Sequence, residues 1–183
     1  MLIGATRELT LDVPRLRKLM QLPQLADDLS RVDVANLYDL LARFRFGTNE
    51  VARFTGPGPL NTDDNALIEY AAPRSLYANT RNANAEQLIR HQVSPAEYLR
   101  NWGHTADQQQ EFLLALTGIA WDDNEMVSGN LAMEACANRF PDLSPMQATT
   151  RANHLARQLR SRTNGVRKAE RPRPGAGAWW RDE

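Results

Sequence analysis

Two short apolar runs interrupt an otherwise helical pattern of hydrophobic and polar positions: LIGAT at 2–6, ended by Gly4, and ALIEYAA at 66–72, ended by Pro73. Short continuous apolar runs bounded by turn residues predict buried strands. Elsewhere apolar residues recur every three or four positions, the spacing of a helix with one buried face. Asp12 precedes VPRLRKLM, with Pro14 in the first turn and Leu16 and Leu19 on one side. LPQLADDLSRV repeats the device through Pro23, Leu25, Leu29 and Val32. A third helix is expected after Asp33, with Leu37, Leu40, Leu41 and Phe44 as its apolar face. Gly47 and TGPGPL (55–60) close this unit.

From about Asn82 the pattern is helical throughout. Ser94 with Glu97, Thr105 with Gln108 and Ser144 with Gln147 have the spacing of capping boxes, in which the first side chain accepts from the helix backbone and the third reaches back. Pro95 and Pro145 occupy first helical positions, where a missing N–H costs nothing. A further helix is expected from Asp123, carrying Val127, Leu131 and Ala135, and the last is expected to end at Asn164-Gly165. Four to five helices are thus predicted between 82 and 164. Aligning Pro141 with the terminal proline of the tetratricopeptide pattern puts Leu113 and Leu116 at large positions. Thr117, Gly129 and Cys136 then fall at small ones. The flanking helix pairs do not follow the same consensus, so a tetratricopeptide-like array and an idiosyncratic bundle both remain open.

Composition supports a folded chain. Of 183 residues, 42% are hydrophobic, enough for a core, and four Trp, four Tyr and five Phe argue against wholesale disorder. No apolar run approaches the roughly 18–20 residues that span a bilayer, and the opening segment lacks a secretory cleavage pattern. The single cysteine, Cys136, fits a reducing compartment, so a cytoplasmic location is expected. The zero net charge conceals an asymmetry of −6 over residues 1–150 and +6 over residues 151–183. The Pro- and Gly-rich end, RPRPGAGAWWRDE, extends the expectation of a flexible basic tail over 166–183.

Candidate chemistry is sparse. The closely spaced glycines of GPG (56–58) and GAG (175–177) neither follow a strand nor open a helix, so no cofactor cradle is expected. His91, His104 and His154 lack a companion at ligand spacing, and no metal is expected. Cys136 lies among small residues with nothing nearby to activate it and reads as a buried, inert thiol. The paired acids Asp63 and Asp64 stand before the apolar run that carries Glu69.

The order of MLIGAT, LADDLSRVDVANLYDLLARF and PLNTDDNALIEYAAPR over residues 1–77 resembles the C-terminal end of the spermidine synthase-like domain in large bacterial proteins that fuse a transporter-like region to an aminopropyltransferase-related domain. The resemblance implies that LIGAT and LIEYAA are the final, antiparallel strands of a Rossmann-like fold, with the 12–47 helices inserted between them. It also implies that the cofactor-binding core and catalytic aspartate lie upstream of this chain. The expected fold is therefore mainly α, with a small α/β remnant at 1–79, a helical domain at 80–165 and a tail at 166–183. The expected function is the C-terminal portion of such a protein, inactive alone, and the alternative is a noncatalytic helical interaction module. By location, the resemblance would put Asp63 and Asp64 near the amine end of a polyamine substrate. The alternative is an Asx-type turn with both acids solvated.

Arg151, Arg157, Arg160 and Arg162, with Arg167, Lys168, Arg171 and Arg173, invite a polyanion partner. They are scattered around the helix, so nucleic-acid binding is not expected. Open strand edges in the N-terminal unit instead predict self-association, or a partner that completes the sheet.

Overall fold

The computed structural model describes residues 9–55 and 81–170. Among them are eight α-helices, one 3-10 turn and two strands of two residues each, so the chain is mainly α. The segments LIGAT and ALIEYAA lie outside the described residues. The strands that are described come from elsewhere and run parallel: β1 (Leu11–Asp12) pairs with β2 (Leu99–Arg100), Leu11 opposite Leu99 and Asp12 opposite Arg100. The expected antiparallel hairpin is therefore not what these strands form. Sequential neighbours favour antiparallel pairing, whereas this pair joins segments 88 positions apart.

Asp12 starts α1 (Val13–Met20) by accepting from the Arg15 N–H at 2.9 Å. Its other oxygen accepts from the Asn101 side chain at 2.6 Å, fastening the helix start to the end of β2. Both bonds favour the carboxylate, and the backbone bond from Arg15 leads in holding Asp12 below the usual carboxyl range. Helix α2 (Pro23–Ser30) contains no buried residue. The following helix starts later than Asp33, which takes φ 57° in the connecting turn. Asn36 caps α3 (Leu37–Ala42): its side chain accepts from Tyr38 N–H, and Asp39 returns the favour by accepting from Asn36 N–H at 2.9 Å. A helix not foreseen from the sequence, α4 (Thr48–Thr55), follows Gly47.

After α5 (Arg81–His91), Ser94 opens only a 3-10 turn, Pro95–Glu97. Thr105 caps α6 (Ala106–Asp122), while the Gln108 side chain accepts from His104 N–H, one position before the cap. Ser144 and Gln147 do form a reciprocal box at the start of α8 (Pro145–Glu170). That helix continues past Asn164-Gly165 to Glu170, so the expected stop there is corrected. Glycine is only a weak helix breaker, costing about 1 kcal/mol against alanine. Helix α7 (Met126–Arg139) begins three residues after Asp123, which instead ends α6. Asn124 then adopts φ 62°, with its N–H bonded to Trp121 O and that of Glu125 to Ala120 O. This is a Schellman end, with asparagine at the left-handed position that glycine usually fills.

Helix α6 is the axis of the fold. Nine consecutive residues, Phe112 to Ala120, are buried, which requires neighbours on every side. Phe112, Leu116 and Ala120 face Val13, Leu37, Leu41 and Leu99, whereas Leu113 and Leu114 face Cys136, Ala148 and Ala152. The first cluster draws residues from both sides of position 80, so the core is shared between the segments expected to form separate domains. On α8, Ala148, Ala152 and Ala156 recur every fourth position and keep the helix close to α6.

Candidate functional site

The foreseen substrate-binding pair, Asp63 and Asp64, lies outside the described residues together with Glu69. Candidate sites within the structure are therefore three side-chain clusters and one groove.

The first cluster holds α4 in place. Glu50 is 5% exposed and accepts from the Tyr98 hydroxyl and, at 3.1 Å, from the Gly47 N–H. Burial opposes ionisation, but the Tyr98 and backbone hydrogen bonds outweigh it and hold the carboxyl below its ordinary range. Burial and then the Glu50 bond push the Tyr98 phenol upward, so it remains a donor. The absence of a side chain at Gly47 is what admits the Tyr98 ring: a Cβ there would sit 1.9 Å from ring carbon Cζ.

In the second cluster, Arg45 donates to Ser128 Oγ at 3.0 Å and to Glu125 Oε2 at 2.7 Å. Gln92 donates to the same Ser128 oxygen at 2.8 Å. An arginine and an amide NH₂ cannot take a proton from the hydroxyl, so this arrangement clamps the α7 N-terminus without activating a nucleophile.

The third is centred on Arg160 of α8. Its guanidinium donates to Asp39 at 2.8 Å, to Asp122 at 3.0 Å and to Asp123. Burial raises the Asp123 carboxyl more than Arg160 lowers it. The nearby acids, Asp39 foremost, more than offset the burial of Arg160 and push it above its ordinary range. The remaining candidate arginines are dispersed. Arg151 binds Gln110 at 2.7 Å, and Arg157 donates to the Asn153 carbonyl of its own helix. No basic stripe is assembled from these three.

The histidines also go separate ways. His91 sits edge-on to Phe54, and the His154 ring bonds Gln158 on the same helix. Among the described residues, no group of three or more His, Cys, Asp and Glu side chains is arranged to hold a metal ion. Among the same residues, no helix is long and apolar enough to cross a membrane.

The groove lies between the C-terminal half of α7 and the first turns of α8. A cavity of about 350 Å³ is lined by Met133, Cys136, Ala137, Leu143, Pro145 and Ala148, together with the polar Asn130 and Glu134. Leu143 links it to an adjoining hollow beside Met146, Thr150 and Arg151. Cys136 forms part of the wall with no exposed surface, and burial pushes its thiol up. Met146, in that adjoining hollow, is 79% exposed, the most open of the large hydrophobic side chains described. Sequence reasoning did locate one edge, the Ser144–Pro145 helix start. It missed the groove because the opposing wall comes from α7, across a turn whose geometry has no local signature. Comparison with protein-family models, with curated proteins and with solved structures gave no match.

Proposed function

We propose that this chain is a helical protein-interaction module that receives an apolar segment of a partner in the groove between α7 and α8. The observation that carries the reading is the pairing of an apolar, partly open cavity of about 350 Å³ with an exposed methionine in the hollow that adjoins it. A flexible, polarizable methionine adapts to different apolar partners, and a rigid helical wall limits the entropy lost on binding. The test is a titration with the apolar dye 1-anilinonaphthalene-8-sulfonate. Dye fluorescence should rise on binding the native chain and fall to background with Ala137→Arg, which fills the opening from an exposed position. A native signal that Ala137→Arg leaves unchanged removes the groove from consideration.

A second reading rests on the ordered motifs of residues 1–77: the chain is the C-terminal portion of a spermidine synthase-like protein and is inactive alone. Assay of the chain with decarboxylated S-adenosylmethionine and putrescine should give no aminopropyl transfer. Turnover that survives repurification and disappears with Asp63→Asn would overturn that reading.

A further inference from the structure

We infer that α1 and α2 form the contact face of a symmetric dimer, in which α1 of one copy of this chain lies against α2 of the other. The face shares no residue with the groove between α7 and α8, so the two readings are independent.

The first observation is an apolar seam that the core does not cover. Leu22, Leu25, Leu29 and Val32 follow one another at spacings of three, four and three, which puts them on one face of α2 and its flanking turns. Leu25 and Leu29 are half-buried, Leu22 and Val32 are 51% and 56% exposed, and α2 has no buried residue. Leu19, whose carbonyl accepts from the Leu22 N–H at 3.0 Å, extends the patch onto the end of α1. Leu16 and Met20, on the other side of α1, pack against the core instead. Helices shorter than about 12–15 residues are marginal in water, so α2, of eight residues, depends on whatever covers its apolar face.

The second observation selects the occupant. The charged residues of α1 are Arg15, Arg17 and Lys18, all basic, and those of α2 are Asp27 and Asp28, both acidic. Arg17 turns toward the Tyr38 hydroxyl, which leaves Arg15 and Lys18 at the exposed side of the helix. Lys18 stands one turn before Leu22, and Asp28 stands beside Leu25 and Val32 on the helix surface. Asp28 meets Arg31 at 3.3 Å, but both side chains are open to water, and a pair so exposed is held weakly. The leucine seam is therefore bordered by cations on its α1 side and by an acid on its α2 side.

A two-fold axis sets residue i opposite j and j opposite i. A second copy turned about such an axis places each basic α1 against an acidic α2, with the leucines of both copies between them. A uniformly acidic or uniformly basic partner would match one helix and repel the other. The seam is short, so the dimer belongs to the weaker, concentration-dependent class of interfaces.

Charge exchange tests both the dimer and its arrangement. Light scattering on the full chain over a roughly hundredfold concentration range should pass from monomer to dimer. Lys18→Glu and Asp28→Lys each set like charges against one another in both halves of the contact, and each should weaken the dimer at least tenfold. An equimolar mixture of the two variants should dimerise again, because both halves of the mixed pair then join opposite charges. Loss of folding in either variant cannot imitate that recovery. A chain that stays monomeric over the whole range overturns the proposal. So do single variants that dimerise as tightly as the native chain, and so does a mixture that remains monomeric.

Discussion

Asp39 and Arg160 lie 121 positions apart in the chain and 2.8 Å apart in the fold. Asp39 is fully buried, and its second oxygen accepts from the N–H groups of Ala35 and Asn36, so the carboxylate that caps α3 also anchors α8. Removing the carboxylate strips a helix start and a guanidinium of partners together. Asp39→Ala should destabilise the chain by about 3–5 kcal/mol, and Arg160→Ala by a comparable amount because Asp39 is left buried without its guanidinium partner. In urea unfolding, the double variant should lose clearly less than the sum of the two. Additive losses would show that the pair is not coupled.

Gly118 tests the approach of α6 to α8. A Cβ there would lie 2.1 Å from the Ala152 carbonyl oxygen, backbone that cannot rotate away as a side chain could. Alanine is the better helix former by about 1 kcal/mol, yet the forced separation costs about 1–3 kcal/mol or more. Gly118→Ala should therefore lower Tm, and an unchanged or raised Tm would place the helices farther apart.

Glu50 gives the chain an acid-sensitive component of stability. Its folded pKa lies below the ordinary value, so its contribution is present above the unfolded pKa and is lost as pH falls through the depressed one. The Tm difference between the native chain and Glu50→Gln should be largest near neutrality and should shrink as pH falls below about 4.5. A difference constant with pH would exclude ionisation of Glu50 as its source.

Cys136 should resist modification. Its thiol has no exposed surface and is pushed above its ordinary pKa, so little reactive thiolate exists at neutral pH. Ellman's reagent should react slowly with the native chain and with one thiol per chain in guanidinium. Rapid native reaction would mean that the groove wall opens readily.

The helical character was legible because it is local: Asp12, Thr105 and Ser144 each cap a helix where the pattern places one. What escaped was tertiary. Strands of two residues cannot generate an alternating pattern, so β1 and β2 are products of alignment across the core. Helix α4 hides between Gly47 and the Gly-Pro run, and its place depends on burying Glu50 against Tyr98 and stacking Phe46 on Phe54. Asp123 has the composition of a helix start, yet the left-handed Asn124 makes it the end of the preceding helix. The groove was equally hidden, since Met133 on α7 and Ala148 on α8 line one cavity only after both helices have docked on α6.

The bond from Asn101 to Asp12, 89 positions earlier, has a consequence for how the chain is made. During synthesis the first three helices emerge long before β2 and α6, against which Val13, Leu37 and Leu41 must be buried. Domains form as units while the ribosome adds about 5–20 residues each second, so these leucines wait for several seconds without their partners. Closing so large a loop also costs entropy that only the finished core returns. The nascent segment that carries α1 to α3 therefore keeps Val13, Leu37 and Leu41 without their partners until β2 and α6 have been made.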